Sequence, residues 1–472
     1  MNINPFGKTF KNILLSLMAI ELLSLISFII TGFSVYAFWI VVILSLTLTL
    51  YKIEYGLFIL LTELFVGGHG YLFFYNFNGT KISIRLVLFL IIISVWFAKK
   101  IKNLDFSLKI DKKNIIIYSS LFLFITIGII NGLINNETSN VFFDFNAWIY
   151  FALLPIFFEL IKKVPNSTIQ ILTGATTYLS LKTLGSLFLF SHSITGIGGI
   201  FYKWIRNTGV GEITYISGTL FRIFFQSQLY CLIGFFIILA LLIANFKIKN
   251  WINYLPHAIY IYLVSLTIYI SQSRSFWVGG LAGLFFIIIL SFWKLKIKIR
   301  YIAILIFLIL IMFIDQSFLI KIITNDFSGN LVSQRFKGLQ TEAAGMSRIN
   351  QLNPLTYNIL QQTVFGYGFG KTLTYQSTDP RIVQTHPNGI YTTYAFEWGY
   401  LDIWLKIGLL GLISYLALIA YLYFSGIKKI SPLHIGLLAG LTALVFTNIF
   451  SPYLNHPLGI GYIMLISGFL TI

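Results

Sequence analysis

Charged residues are scarce in this chain of 472 amino acids. They make up only 10% of it, whereas hydrophobic residues make up 57%. Ordinary soluble domains carry about a quarter charged residues, so this composition excludes a soluble globular enzyme. Runs of roughly 20 apolar residues recur along the chain, and each is long enough to cross about 30 Å of hydrocarbon as a helix. The sequence therefore predicts an integral membrane protein.

Residues that form disulfides or bind metals are equally scarce. The single cysteine, Cys231, lies inside an apolar run, which excludes a disulfide scaffold and a cysteine metal site. The six histidines are scattered without the spacing of metal ligands, and no Asp-x-Asp pair occurs. A site for a divalent ion usually needs such carboxylates. The sequence therefore predicts chemistry that uses no metal and no cofactor.

The apolar segments predict an all-α fold, a polytopic membrane protein with about 14 (12–14) transmembrane helices. The third and sixth segments are short enough to be re-entrant. The whole chain, 1–472, is predicted to be a single membrane domain, in which residues 321–395 form one large external loop that acts as a lid. The apolar segments are 12–32, 34–50, 54–67, 82–98, 114–131, 147–161, 168–190, 219–245, 255–271, 275–293, 301–320, 396–424, 433–450 and 457–472.

The net charge of +18 is distributed unevenly between the two sides of this predicted bundle. More than half of the 33 basic residues, nearly all of them lysines, fall on one set of helix ends. By the positive-inside rule this side is cytoplasmic, with both termini inside. The positive charge is therefore interpreted as a topology signal, and no nucleic-acid partner is predicted.

Arginines follow a different distribution, because all of them except Arg300 fall on the outer loops or within the membrane. The planar guanidinium group binds phosphate in bidentate fashion, which lysine does not. An outward-facing group of arginines therefore predicts a site for an anionic ligand. The alternative is that these side chains only snorkel to the membrane surface. The candidates are Arg206, Arg222, Arg274, Arg335, Arg348 and Arg381.

The stretch Phe365–Phe424 joins a polar external segment to an apolar one. It places His386 and Glu397 at or just above the membrane surface, where an imidazole or carboxylate can meet a polar substrate. Asp402 and Lys406 are four residues apart and can pair with each other. Glu397 lies about 180° around the helix from Lys406 and has no local partner, which leaves it available to a substrate hydroxyl. A helix-capping role for Glu397 is the alternative.

With these residues, the segment of about 215–425 resembles the O-antigen polymerase/ligase superfamily of bacterial inner membranes. Ser273-Arg274-Ser275 before an apolar helix looks like the family's Ser-Arg segment, and Arg222 looks like its upstream arginine. The family's terminal motif is His-Asn/Ser/Gln, nine residues, then Gly-x-x-Gly. Counted back from Gly408 and Gly411, the histidine position is occupied by Glu397.

This departure from the motif counts against the ligase branch, whose histidine is central, and favours the polymerase branch. The nearest histidine, His386, lies eleven residues upstream. Glu397-x-Gly-Tyr400-Leu, before a Lys-x-Gly helix, looks like a polymerase variant of the motif, which makes Tyr400 a further candidate for substrate binding. Glu397 has the motif position and is predicted to be the base, whereas His386 has the residue type that the family uses and is the second candidate. The resemblance implies Arg222 and Arg274 as the main diphosphate ligands, supported by arginines of the external loop.

The resemblance implies a membrane glycosyltransferase, similar to the GT-C class, on the periplasmic face of the bacterial inner membrane. Its donor and acceptor would be undecaprenyl-diphosphate-linked oligosaccharides, polymerised into O-antigen or another surface polysaccharide. Other implied partners are the lipid bilayer and a chain-length regulator protein. Two alternatives stay open: an O-antigen ligase that transfers glycan to lipid A core or a protein, and a flippase for the same lipid.

Overall fold

The computed structural model describes residues 3–105, 107, 112–245, 252–294, 299–326 and 343–470. Helices make up 75% of it. The first nine are α1 Lys8–Ile29, α2 Phe33–Tyr51, α3 Ile53–Val66, α4 Ile84–Lys102, α5 Lys112–Asn135, α6 Thr138–Phe145, α7 Leu154–Leu160, α8 Pro165–Ser191 and α9 Thr195–Thr208. The others are α10 Leu229–Asn245, α11 Leu255–Ser271, α12 Arg274–Trp293, α13 Ile299–Thr324, α14 Ala343–Gln361, α15 Pro380–Thr385, α16 Gly399–Lys428, α17 Pro432–Thr447 and α18 Pro457–Leu470.

Short 3₁₀ turns precede α7 and α10, at Trp148–Leu153 and Gln226–Gln228. Three small antiparallel hairpins accompany the helices. Their strands are β1 Phe74–Phe77 with β2 Thr80–Ser83, β3 Gly211–Ser217 with β4 Leu220–Phe225, and β5 Leu373–Gln376 with β6 Ile390–Thr393.

Eight helices in the described part of the chain are long and apolar enough to cross a membrane. The number rises to nine if Thr138–Phe145 and Trp148–Leu160, which meet at an angle of 46°, form one broken span. This confirms the all-α polytopic membrane fold, whereas the count of fourteen spans stays a prediction. Two of the segments expected as spans, α17 and α18, are shorter apolar helices.

The helices divide into a buried centre and a periphery that faces lipid. In the most apolar 18-residue stretch of each helix, 83% of the α10 stretch is buried inside the protein, whereas only 11% of the α13 stretch is. A helix that is apolar on every side must be surrounded by protein or by lipid, and these two helices represent the two cases. α12 packs closely on α17 because Gly279 and Gly283 face the backbone carbonyls of Ala443 and Ala439. Small residues four apart allow such a close approach of membrane helices.

The hairpin β3–β4 corrects the predicted helix over 219–245, which begins only at Leu229. Arg222 therefore lies on a strand, opposite Thr214 of β3, and not at the entrance of a helix. The strand Leu-Phe-Arg-Ile-Phe-Phe is rich in aromatic and β-branched residues, which favour a strand. Gly218, with a φ of +54°, lies in the turn between the two strands.

α16 is interrupted at Gly408, where φ is +73° and ψ is 177°. The break frees the carbonyl groups of Leu405 and Lys406 from the helical hydrogen-bond pattern. They accept hydrogen bonds from the backbone N–H groups of Tyr367 at 2.8 Å and Gly368 at 3.1 Å. Non-helical backbone at membrane depth is tolerated where protein satisfies it. The segment that contains Tyr367 and Gly368 therefore fills the break. The sequence predicts one continuous apolar helix here.

The segment predicted as an external lid contains defined structure. α13 extends to Thr324, and α14, β5, α15 and β6 follow between 343 and 393. Leu355 and Ile359 of α14 are buried in a small apolar cluster with Phe396 and Leu405. This cluster fixes α14 against the beginning of α16. Closure of this segment as a lid stays a prediction.

Candidate functional site

Two of the predicted arginines meet where β4 crosses the turn between α11 and α12. The Arg222 Nε atom donates a hydrogen bond to the Ser271 carbonyl at 2.8 Å. Ser271 ends α11, and Arg274 is the first residue of α12, so the bond fixes Arg222 beside the turn that carries Arg274. Gln272, within this turn, has a φ of +46° and is almost fully buried. The turn is therefore held in a left-handed conformation that packing must enforce.

Arg348, on α14, is the third member of this group. Burial lowers the pKa of Arg222, and Glu212 opposes that effect, whereas the positive charges of Arg348 and Arg274 add to it. Such an effect requires the guanidinium groups to lie near one another. Arg222, Arg274 and Arg348 thus form an arginine cluster, contributed by a strand, by the end of a membrane helix and by the helix of the external segment.

Glu397 lies just before α16 and forms an ion pair with Arg348. The two side chains are 41% and 40% exposed, so the pair is open to solvent. The Gln351 side chain accepts a hydrogen bond from the Glu397 backbone N–H at 3.1 Å, and the Trp398 indole donates to the Arg348 carbonyl at 2.8 Å. The sequence indicated no local partner for Glu397. Its partner comes from a segment 49 residues earlier, which helical spacing does not reveal.

This arrangement places three guanidinium groups near two accessible carboxylates, Glu397, which pairs with Arg348, and Glu212, which acts on Arg222. Guanidinium groups bind phosphate oxygens, and fixed cations stabilise the negative charge that develops on a leaving diphosphate. A carboxylate can accept a proton from a hydroxyl within hydrogen-bond distance. The same few residues could therefore bind an anionic leaving group and activate a nucleophile.

A neutral polar group next to the arginine cluster was not singled out from the sequence. The His69 and Gln226 side chains are 2.6 Å apart, and the Tyr453 hydroxyl donates to the Gln226 carbonyl at 3.1 Å. The ring centroids of His69 and His456 are 5.7 Å apart. Burial, with the positive charge of Arg85, lowers the pKa of His456, which keeps this imidazole neutral. These residues come from loops scattered along the chain, so no sequence spacing connects them.

Other predicted site residues have different surroundings. The Arg206 side chain forms an ion pair with Glu212 at 3.1 Å, near the arginine cluster through the strand β3. The Tyr400 hydroxyl donates to the Val445 carbonyl of α17 at 2.8 Å. His386 is exposed, and its ring packs edge-on against Tyr391.

The remaining predictions fall on parts of the chain that are not described. Arg335 lies outside the described residues, and so does the side chain of Arg381. Among the residues that are described, Arg222, Arg274, Arg348 and Glu397 are the predicted ones joined by contacts or mutual electrostatics.

Buried charges elsewhere in the bundle are compensated, and we refer to these as the interior ion pairs. Lys406 contacts Asp402 at 2.7 Å and Asp144 at 2.5 Å, which confirms the predicted pairing of Asp402 and Lys406 and adds a second carboxylate. The other interior ion pairs are Lys182–Glu21 at 2.5 Å and Arg85–Glu63 at 2.8 Å.

Residues 259–416 match the family model described as O-antigen ligase. The match spans about a third of the chain and includes Arg274, Arg348 and Glu397. The match supports the O-antigen polymerase/ligase superfamily for this segment. The superfamily match is equally consistent with a polymerase and with a ligase. No curated protein and no solved structure matches the chain.

Proposed function

We propose that the protein is a membrane glycosyltransferase that polymerises lipid-diphosphate-linked oligosaccharide repeat units. The observation that carries this proposal is the meeting of Arg222, Arg274, Arg348 and Glu397, which come from four separate elements. The superfamily implies lipid-linked glycan substrates and a membrane setting. The undecaprenyl carrier and the inner-membrane, periplasm-facing location belong to this proposal.

In the proposed reaction, a hydroxyl of the acceptor sugar attacks the anomeric carbon of the donor glycan. The bond between that carbon and the diphosphate oxygen breaks, and the leaving lipid diphosphate keeps the electron pair. The hydroxyl proton passes to the Glu397 carboxylate. The arginine cluster stabilises the negative charge on the diphosphate, so that no metal step is required.

The exposed Arg348–Glu397 ion pair gives this reaction an order. A diphosphate that binds Arg348 competes with the carboxylate for the guanidinium group. Once Arg348 is turned toward the diphosphate, Glu397 is available to the acceptor hydroxyl. Donor binding would therefore precede activation of the acceptor.

The test is to incubate the purified protein with a defined lipid-diphosphate repeat unit and resolve the products by size. A polymerase yields a ladder of multiples of the repeat, and this ladder should persist in excess EDTA. Loss of the ladder in EDTA and its return with magnesium or manganese would contradict the arginine-based mechanism. Formation of no glycosidic bond, with movement of the lipid across a bilayer, would replace the proposal with a flippase.

An O-antigen ligase is the second candidate, and the matched family carries that description. Both reactions use the same donor chemistry, so they differ in the acceptor. Supplying lipid A core together with the repeat unit separates them, because a ligase transfers one glycan to the core and forms no ladder. In cells, loss of a polymerase leaves one repeat unit on the surface lipid, whereas loss of a ligase removes the glycan entirely.

The interior ion pairs argue against the flippase. A cavity that passes a diphosphate through the midplane needs cations that are free to meet it. Lys182, Arg85 and Lys406, the cations of the interior ion pairs, are each held by a carboxylate and are almost fully buried. The arginine cluster instead carries an ion pair, Arg348–Glu397, that is open to solvent.

A further inference from the structure

A cavity of about 420 Å³ lies at the end of α16 farthest from Glu397. The part of α16 after the break at Gly408 continues to Lys428, a length of roughly 30 Å at 1.5 Å per residue, so the cavity lies near the opposite membrane boundary. Its volume is within the roughly 300–1,000 Å³ that ligand sites usually have. It does not belong to the candidate site described above.

Lysines dominate the lining of this cavity, which we name the lysine pocket. Lys113 comes from the first turn of α5, Lys162 from the turn after α7, and Lys428 and Lys429 from the end of α16. Its lining contains no carboxylate. Among the described residues none of these four lysines has an ion-pair partner. Helix ends distant in sequence thus bring four positive charges around one concavity.

A buried amide adds a hydrogen-bonding group to the same cavity. Asn114 is 6% exposed, lines the pocket and makes no side-chain hydrogen bond within the described part of the chain. Ser425 and the Tyr421 side chain also line it. The amide therefore offers the cavity a hydrogen-bond donor that an oxygen-rich ligand can use.

Apolar side chains continue from the pocket along the outside of the same helices. Ile116, one turn into α5 from Lys113, is 68% exposed, and Phe424, one turn before Lys428, is also 68% exposed. Residues three or four apart lie on one face of a helix. Each helix therefore presents a cation at the membrane boundary and an apolar surface immediately deeper, which is the pattern of a phospholipid with its headgroup and chains.

We propose that the lysine pocket binds the phosphate headgroup of an anionic phospholipid. Basic pockets between membrane helices recognise such headgroups, and each nearby lysine contributes about 1 kcal/mol. A soluble phosphate or diphosphate shares the headgroup chemistry, but it leaves the exposed apolar strip unoccupied. The lipid would tie the ends of α5, α16 and α18 together at the boundary opposite the arginine cluster.

The test uses the full-length purified protein in detergent, with phosphatidylglycerol, phosphatidylcholine or pyrophosphate added. Retained lipid is counted by native mass spectrometry, and thermal stability is measured in parallel. We expect phosphatidylglycerol to be retained and to raise the melting temperature, with little effect of phosphatidylcholine. An equal effect of pyrophosphate would overturn the assignment to a lipid, and an equal effect of phosphatidylcholine would overturn the phosphate site.

The variant Lys113→Gln/Lys162→Gln/Lys428→Gln/Lys429→Gln should lose retained phosphatidylglycerol, with affinity falling about fivefold for each lysine removed. The matched control is Lys8→Gln/Lys11→Gln/Lys52→Gln/Lys102→Gln, which removes the same charge from exposed helix ends outside the pocket. The control should retain the lipid. Equal loss in both variants would show that general surface charge, and not the pocket, attracts the lipid. Asn114→Leu supplies a second variant that leaves the charge unchanged, and it should weaken binding without changing the response to phosphatidylcholine.

Discussion

The interior ion pairs and the arginine cluster use the same residue types under opposite conditions. Lys182, Arg85 and Lys406 are each matched by at least one carboxylate and have almost no contact with solvent. The arginine cluster instead has an ion pair, Arg348–Glu397, in which the carboxylate side chain is 41% exposed. Charges that hold helices together are buried with their partners, whereas the ion pair of the candidate site is open to solvent and to a ligand. The difference separates scaffold from site without reference to any motif.

The largest effect on stability is expected when a cation that neutralises buried carboxylates inside the bundle is removed. Lys406→Met leaves the buried carboxylates of Asp144 and Asp402 without their cation. Removing one partner of a buried pair costs about 3–5 kcal/mol, so we expect loss of folded protein. The measurement is the yield of monodisperse protein and its melting temperature in detergent, with the exposed Lys8→Met as control. A Lys406→Met protein as stable as the control would show that this charge is not compensating the two acids.

Removing a charge from the arginine cluster should affect activity and leave the fold intact. Arg274→Gln takes away one stabiliser of the leaving diphosphate, and loss of such a group costs about 10²–10³ in rate. The measurement is the rate of ladder formation, with the melting temperature as a check on folding. Lys203→Gln removes an exposed cation from α9 and serves as the control. An unaltered rate in Arg274→Gln would remove this residue from the site.

Acid should destabilise the protein through His456, which is held neutral. Burial and positive neighbours lower the pKa of this imidazole in the folded protein. The unfolded chain takes up the proton near the ordinary value of about 6.5, so stability is constant above that pH and falls as the pH drops below it. Melting temperatures between pH 8 and 5 should decline in the wild type and decline less in His456→Gln. Identical slopes would mean that other groups dominate the titration.

The smallest effect on stability and activity is expected when Arg206 is replaced. Like the cations of the interior ion pairs it has a carboxylate partner, but it lies at the surface. Its ion pair with Glu212 leaves both side chains more than a third exposed. Such pairs contribute about 0–1 kcal/mol, so Arg206→Gln should change the melting temperature little and the rate by less than about fivefold. A loss of activity as large as that of Arg274→Gln would bring Arg206 into the arginine cluster.

The membrane fold and several of the residues in the two groups could be predicted from composition and charge distribution. The apolar runs indicated the all-α membrane fold, and the separation of arginine from lysine pointed to Arg222, Arg274 and Arg348 before any contact was known. The local spacing of Asp402 and Lys406 was sufficient to predict their pairing, because residues four apart on a helix are neighbours. These inferences rest on local pattern or on overall composition.

What could not be predicted depends on contacts between distant segments. Asp144 reaches Lys406 across 262 positions, and Arg348 reaches Glu397 across 49. The strand at Arg222 was interpreted as part of a helix because its apolar residues continue directly into α10. The break at Gly408 was hidden for a similar reason: the apolar pattern is uninterrupted, and the backbone at the break is satisfied by hydrogen bonds with a distant segment, among them those from Tyr367 and Gly368.

The comparison of Glu397→Gln with His386→Ala tests the central claim most directly, because it asks whether the exposed Glu397 carboxylate beside the arginine cluster is the base of the reaction. Glutamine keeps the size of the side chain and can still hydrogen-bond Arg348, but it cannot accept the proton. We predict that Glu397→Gln binds the lipid-diphosphate donor and stays folded, yet forms no ladder, whereas His386→Ala forms a ladder more slowly. A normal ladder from Glu397→Gln, with loss of the ladder in His386→Ala, would contradict the account and make His386 the base.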